Sequence, residues 1–275
     1  MKLRNRVVVI TGAASGIGRA SARRFAERGA ILHLVDLDAA RLEAVAVECS
    51  RLGARSSFHV ADCRDAAAQV RLCSEVLARD AVVDVLFLNA GVGYGGKMAD
   101  MTLEDWRLVL DTNLFGVVHG LAAFLRPMLE QRTGGHILLT ASMLGLFALP
   151  SAGAYAASKH ALVGLAESLR AELRGRGIEV TALCPGLVAS DIIRNGRLQG
   201  GQVAHARAER FWQRFGADPD VVGRYARDCV ERRRGGVRPI AATGAALWRL
   251  QRFAPRVYER ALLAAAPVLD WLGRS

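Results

Sequence analysis

The sequence predicts an α/β protein: a doubly wound parallel sheet of about seven strands with helices on both faces. Three observations carry this. Short β-branched runs alternate with helical stretches as far as about residue 184, a pattern that right-handed crossovers fold into a parallel sheet. The first run leads through a glycine-rich turn, Thr11-Gly12-Ala13-Ala14-Ser15-Gly16-Ile17-Gly18, into a helix. Finally, Gly12, Asp36, Asp62, Asn89, Ser142 and Gly186 all fall at or just after expected strand ends, the edge where such sheets gather ligands.

Arg6 to Thr11 reads as a buried first strand. After the glycine turn, a helical pattern runs from Arg19 to Arg28, and Ala30 to Val35 is a second strand ending at Asp36. Ala39 to Leu52 is helical, with Gly53 as its stop signal. Ser57 to Val60 is a third strand, with Asp62 just beyond it, and Ala66 to Arg79 the next helix. Val82 to Leu88 is a fourth strand, followed by Asn89-Ala90-Gly91. Thr102 with Asp105 marks a helix start, and one helix is expected from there to about Gln131, with Asn113 inside it. Gly135 to Ala141 is a fifth strand ending at Ser142, and Gly153 to Gly175 a helix carrying Tyr155 and Lys159. Ile178 to Cys184 is a sixth strand ending in Pro185-Gly186, and Val237 to Ile240 a short seventh. No repeat or linker interrupts the chain before about residue 190.

Composition narrows the function classes. At 275 residues, 52% hydrophobic and 23% charged, the chain can bury a sizeable core. The apolar run Val7 to Ile10 is too short for a signal-peptide core, and Ala261 to Leu269 contains Pro267, so neither run reads as a membrane span. Five scattered cysteines without a CxxC read as reduced thiols in a cytoplasmic protein with no metal site. The net charge is +11, and residues 194–260 hold 15 Arg against 6 Asp and Glu, so +9 lies in that stretch. That clustering points to an anionic partner or surface, but no nucleic-acid motif accompanies it.

The motifs carry the chemistry. A glycine turn between strand and helix lets backbone N–H groups approach a phosphate, and the helix N-terminus adds a favourable dipole. The spacing G-x-x-x-G-x-G is a variant of the dinucleotide turn, and without Gly-Lys-Ser/Thr it is no P-loop. Asp36 lies 18 residues after Gly18, near the spacing of the acid that accepts from a ribose and repels a 2′-phosphate. Leu37 follows where an arginine would serve NADP. Tyr155 and Lys159 are four apart, hence one turn apart on a helix face. An ammonium held close lowers a phenol's pKa, so the pair could exchange a proton with an alcohol or carbonyl. Alone, each feature also has a structural reading: a plain βα turn, a solvated Asp, a surface Tyr-Lys pair, a satisfied core Asn113.

Together, Thr11-Gly12-xxx-Gly16-Ile17-Gly18, Asp62, Asn89-Ala90-Gly91, Asn113, Ser142, Tyr155-xxx-Lys159 and Pro185-Gly186 resemble the short-chain dehydrogenase/reductase family over roughly residues 5–190. The resemblance implies a Rossmann-like fold and NAD rather than NADP. The cofactor would lie along Gly12, Ser15, Gly16, Ile17, Gly18, Asp36, Asp62, Asn89, Ala90, Gly91, Pro185, Gly186, Val188 and Ser190. It further implies Tyr155 as acid/base and Lys159 as the group that lowers its pKa and holds the nicotinamide ribose. Ser142 would bond the substrate oxygen, and Asn113 would hold a water linking Lys159 to solvent. Two positions depart from the family pattern: Leu88 stands in place of an Asn, and Ser190 in place of a Thr.

The loops Met143 to Pro150 and about 186–215, with Leu187, Ile192, Ile193, Val203, Phe211 and Trp212, predict an apolar pocket for a lipophilic secondary alcohol or ketone. They could equally close the core or form a subunit interface. Residues 1–243 are read as one domain and 244–275 as a basic amphipathic helical extension, broken at Pro255. Arg249, Arg252, Arg256 and Arg260 form one stripe there, suited either to a peripheral contact at the inner membrane surface or to packing on the domain or on a second subunit. A homodimer or homotetramer is expected from the resemblance. Competing readings are a 3-oxoacyl (carrier-protein) reductase and a noncatalytic dinucleotide-sensing or scaffold protein.

Overall fold

The computed structural model describes residues 1–192, 194, 196–199, 201–240 and 242–274, with the backbone path alone for 201–204, 242–243 and 265–274. Its strands are β1 (Val7–Thr11), β2 (Ile31–Asp36), β3 (Arg55–Val60), β4 (Val85–Leu88), a two-residue β5 (Tyr94–Gly95), β6 (Gly135–Thr140), β7 (Ile178–Cys184), a two-residue β8 (Arg197–Leu198) and β9 (Gly236–Pro239). Seven pair in parallel in the order β3-β2-β1-β4-β6-β7-β9. The chain therefore works outward from β1 to one edge, returns, and works outward from β4 to the other. The β1/β4 junction is the switch point at which doubly wound sheets open a crevice.

Helices cover both faces: α1 (Gly16–Ala26), α2 (Ala39–Arg51), α3 (Ala66–Asp80), α4 (Leu103–Leu110), α5 (Gly116–Glu130), α6 (Gly153–Glu172), α7 (Gly201–Phe215), α8 (Pro219–Glu231), α9 (Ala242–Phe253) and α10 (Pro255–Arg274). The period-2 alternation of the strands sorts the core into two layers. Val8, Ile10, Leu32, Leu34 and Phe87 join Phe25 of α1, Leu42 of α2 and Ala226 of α8 on one face. Val9, Leu86, Leu88, Ile137, Leu139 and Val180 join Val76, Phe124 and Leu162 on the other. Each fully buried side chain of this size contributes about 1.5–3 kcal/mol by leaving water.

Several boundaries differ from the sequence reading. The fourth strand begins at Val85, because the backbone of Val83 is taken by a side chain: its N–H donates to Gln131 Oε1 at 3.0 Å and its carbonyl accepts from Gln131 Nε2 at 2.9 Å. The single helix expected from Thr102 is α4 and α5 joined by a π-helical turn, Asp111–Phe115, with Asn113 at its centre. The Thr102–Asp105 capping box is present. Leu103–Glu130 is long and apolar enough for a membrane span by length and composition, but Val117, Leu121, Phe124 and Met128 face the core. The stretch 186–215, read as a substrate loop, contains β8 and α7. The sequence reading also passed over α8, although Asp218 caps it, Pro219 opens it, and Val222, Ala226, Cys229 and Val230 are buried at helical spacing. Ile193 lies outside the described residues, as does the side chain of Val203.

Candidate active site

Between β1 and α1, Gly12 and Gly16 adopt φ of 66° and 49°, a region that L side chains rarely occupy. A Cβ on Gly12 would meet Ala90 Cα at 2.8 Å, and one on Gly16 would meet Ser190 Cβ at 2.9 Å. At Gly18 a Cβ would collide with the Gly12 carbonyl. Only glycine lets α1 lie this close to β1 and β4. Ser15, at the N-cap, makes no capping bond, and the first turn of α1 carries no acid. Its N–H groups and dipole are thus left for an anion. These features fit a dinucleotide pyrophosphate.

Asp36 closes β2, accepting from Leu37 N at 2.7 Å and Ala14 N at 3.0 Å. That tie fixes its carboxylate beside the glycine turn, as a ribose acceptor requires. Asp62 is held by Arg64, with Nη2 2.7 Å from Oδ2, and this contact lowers its pKa. An adenine would therefore meet an ion pair there, where the sequence reading had a lone carboxylate. Asn89 serves the scaffold. Its Nδ2 donates to Thr11 O and Gly12 O, and its Oδ1 accepts from Thr140 Oγ1. The amides of Asn89 and Ala90 both donate to Thr11 Oγ1. Thr11, the first residue of the glycine-turn motif, and Thr140, which the sequence reading did not single out, complete this brace across β1, β4 and β6.

On α6, Lys159 is 2% exposed and donates from Nζ to Thr140 O at 2.8 Å. Burial lowers its pKa to about 8. Tyr155 is half-buried one turn earlier, with Lys159 Nζ 5.6 Å from its ring centroid. Burial pushes the Tyr155 phenol up to about 12, against a hydrogen bond with Ser142 that lowers it. The sequence reading expected Lys159 to draw the phenol down. Among the protein's own groups desolvation wins instead, and Tyr155 holds its proton at neutral pH.

The side-chain amide of Asn113 is fully engaged. Its Oδ1 accepts from Val92 N at 2.8 Å, and its Nδ2 donates to Val92 O and Ser158 Oγ. Its amide thus clamps the segment after β4 to α6. Ser158 Oγ donates onward to Tyr155 O at 2.7 Å, so the Asn113 side chain is tied to the first turn of α6. A Cβ on Gly91 would press on Asn113 Oδ1 at 3.1 Å and rest in ordinary contact with Lys159 Nζ at 3.5 Å.

One cavity of about 1530 Å³ collects every residue singled out for cofactor or chemistry except Gly18 and Asn113, which sit behind its wall. Its far end is apolar, lined by Leu144, Phe147, Leu149, Leu198, Trp212 and Leu247 among others. That end is roofed by a small sheet unforeseen from sequence, in which β5 pairs with β8 in parallel. Gln199 ties the two segments, accepting from Lys97 N at 2.6 Å and donating to Tyr94 Oη at 3.0 Å. The signal for this approach was the run of small residues at Gly93, Gly95, Gly96 and Gly196, where added Cβ atoms would strike the facing segment. Among the described residues no cluster of three or more His, Cys, Asp or Glu is placed to hold a metal ion.

Lys159 also leaves a mark on stability. The unfolded chain holds this proton up to about pH 10.5, the folded chain only to about 8. Stability is therefore expected to rise between those values, by up to roughly 3 kcal/mol from this group. Buried thiols such as Cys184, pushed up to about 12, act oppositely above their ordinary range. The measurement is thus the difference between wild type and Lys159→Met in urea unfolding across pH 7 to 10. A pH-independent difference would contradict the burial of a titrating amine.

Comparison with known proteins agrees with this geometry. The short chain dehydrogenase family model matches residues 6–199. The probable oxidoreductase EphD of Mycobacterium tuberculosis is 34% identical over 262 residues, covering 91% of this chain and 43% of that protein. This chain thus spans less than half the length of EphD. The 1-deoxy-11-beta-hydroxypentalenate dehydrogenase of Streptomyces exfoliatus is 37% identical over 226 residues, covering 79% of this chain and 82% of the relative. Among solved structures, a Burkholderia phymatum short chain dehydrogenase/reductase in complex with NAD superposes with a TM-score of 0.87 at 31% identity, covering 94% and 96% of the two chains. An alcohol dehydrogenase from Thermococcus sibiricus complexed with 5-hydroxy-NADP gives 0.73 at 29% identity, covering 86% and 95%. With its sheet order, glycine turn and Ser142-Tyr155-Lys159 cluster, the chain belongs to the short chain dehydrogenase family.

Proposed function

We propose that this protein is an NAD-dependent oxidoreductase that interconverts a lipophilic secondary alcohol and its ketone. The observation that carries the reading is the placement of Ser142, Tyr155 and Lys159 in one cavity, between the glycine turn and the apolar end. The nicotinamide cofactor, when bound, supplies the hydride acceptor or donor. The chain supplies grip and protons. Ser142 and Tyr155 hold the substrate oxygen, and Tyr155, a phenol at neutral pH, gives its proton to a carbonyl oxygen as it becomes an alcohol. In the reverse direction the phenolate needs a nearby positive charge, and Lys159, with a pKa near 8, is still largely protonated at pH 7. The apolar lining excludes water and favours a substrate with little polar surface. The pentalenate relative, named as the dehydrogenase of a hydroxylated compound, supports oxidation at a hydroxyl.

Screening alcohols and ketones at the reduced-nicotinamide absorbance, with NAD and NADP in parallel, tests this. No turnover of any substrate despite cofactor binding would favour a noncatalytic sensor. Asp36 is read as the reason for NAD. Its carboxylate would face a 2′-phosphate with like charge, so Asp36→Ser is expected to raise the NADP/NAD ratio of kcat/KM by about 10- to 100-fold. Arg41 lines the same wall but stays paired with Asp38 and Asp191, so the gain comes from removing the Asp36 charge. Wild-type preference for NADP would overturn the assignment. The proposal further takes residues 1–243 as the catalytic domain of a cytoplasmic homo-oligomer. Exposed Leu103, Phe115 and Val118 on and between α4 and α5 suit contact between copies.

A further inference from the structure

Helices α9 and α10 have two unlike faces. The inner face is anchored. Tyr258 is 9% exposed, donates from its hydroxyl to Ala148 O at 2.8 Å, and packs near Phe147. Trp248, Leu250 and Leu262 lean on the same core. Gly244, in the first turn of α9, lies against Met143, next to Ser142 in sequence. The extension is therefore seated on the loop that carries the substrate-binding serine.

On the outer face Arg252 lies over the Trp248 ring, 5.9 Å from its centroid, and the arginine heads otherwise meet solvent. Arg249, Arg252, Arg256 and Arg260 are all exposed, and among the described residues none forms an ion pair. Elsewhere arginines are commonly matched: Arg19 and Arg23 with Glu48, Arg24 with Asp220, Arg64 with Asp62, Arg197 with Glu104 and Asp105. Between the four lie apolar side chains at the surface: Phe253 at 82% exposure, Leu263 at 67% and Val257 at 56%. At 100° per residue, Arg256, Arg260 and Leu263 point away from Tyr258. Cationic heads interleaved with aliphatic and aromatic side chains complement an anionic lipid surface, which takes the charge at its headgroups and the apolar groups just beneath.

The position adds direction. Leu247, on α9, lines the cavity and is partly exposed. Across the mouth, Phe211 of α7 also lines the cavity while half-exposed, in tilted ring contact with exposed Phe215. We propose that the outer face of α9 and α10 docks on an anionic bilayer and turns the cavity mouth toward it. A lipophilic substrate then enters from the membrane. This entry route rests on the substrate class proposed above; the docking face does not.

The test is cosedimentation of the full chain with vesicles of phosphatidylcholine alone or mixed with phosphatidylglycerol, without substrate or cofactor. Binding to the anionic vesicles is expected, with loss on raising salt. Replacing Arg249, Arg252, Arg256 and Arg260 together by Ala should weaken it at least about 100-fold. A control lacking Arg51, Arg79, Arg107 and Arg174, exposed on other faces, should bind almost as wild type does. Phe253→Ser should weaken binding with the charge intact. Retained NAD binding and far-UV circular dichroism would show that each variant folds. Absence of wild-type binding, equal binding to phosphatidylcholine alone, or equal loss in the control would overturn the proposal. So would a change of subunit count in the four-arginine variant with vesicle binding intact, because the face would then meet a second copy. None of these outcomes depends on turnover, so an inactive protein that binds vesicles would sink the enzyme reading alone.

Discussion

Tyr155→Phe is expected to lower kcat by about 100- to 10,000-fold, the range a positioned acid/base supplies, equivalent to roughly 3–5 kcal/mol of barrier. The change removes one oxygen. The ring stays, and with it the contact to Lys159 Nζ, which keeps its bond to Thr140 O. Asn113, Ser158 and the Tyr155 carbonyl are linked through backbone and side-chain groups that the change does not touch. Fold and cofactor affinity should therefore hold while the chemical step fails. Ser142→Ala makes the companion. Ser142 Oγ also accepts from Leu144 N at 3.1 Å, so its loss loosens the loop as well as the substrate oxygen, and KM should rise alongside the fall in kcat. Turnover of Tyr155→Phe within about tenfold of wild type would remove Tyr155 from the proton path.

The parts of this site that were legible in the sequence are those where a residue type answers a local demand. Gly12, Gly16 and Gly18 occupy places where a Cβ would meet backbone or a neighbouring side chain, and Asp36 ends a strand whose length sets its reach. Strand alternation gave the sheet for the same reason. What the sequence withheld depends on distant segments meeting. Thr11 and Thr140 brace Asn89 only because β1, β4 and β6 are neighbours. Arg64 takes the Asp62 carboxylate through a local turn whose geometry no spacing rule specified. The β5–β8 roof joins segments about a hundred residues apart, and two-residue strands carry no periodicity to detect. The burial of the Tyr155 phenol, which opposes the expected pull of Lys159, has no local signal in the sequence.

His136 should make the protein acid-labile. It sits on β6, fully buried, with Nε2 2.7 Å from Thr181 Oγ1. Thr181 Oγ1 donates its own proton to Arg234 O at 2.8 Å, so the hydroxyl oxygen must accept, and Nε2 carries the hydrogen. Nδ1 is then the bare nitrogen, and among the described residues it has no partner. Protonating it would create a buried donor without an acceptor, inside a core that disfavours charge. Burial, reinforced by the charges of Arg233 and the N-terminus, pushes the imidazole down to about 3. The unfolded chain takes up this proton below about 6.5 and the folded chain does not. Stability is therefore lost as the pH falls from 6.5 toward 3, by up to roughly 5 kcal/mol from this one residue. His33, also buried and lowered in pKa, pulls the same way, so the wild-type curve alone does not isolate His136. The difference between wild type and His136→Leu does. At pH 7 the two should lie within about 2 kcal/mol of each other, since the variant loses one hydrogen bond and one unpaired nitrogen together. Toward pH 4 the variant should become the more stable protein by urea unfolding. Parallel curves from pH 7 to 4 would mean that His136 finds an acceptor for its second proton, and the penalty assigned to Nδ1 would be wrong.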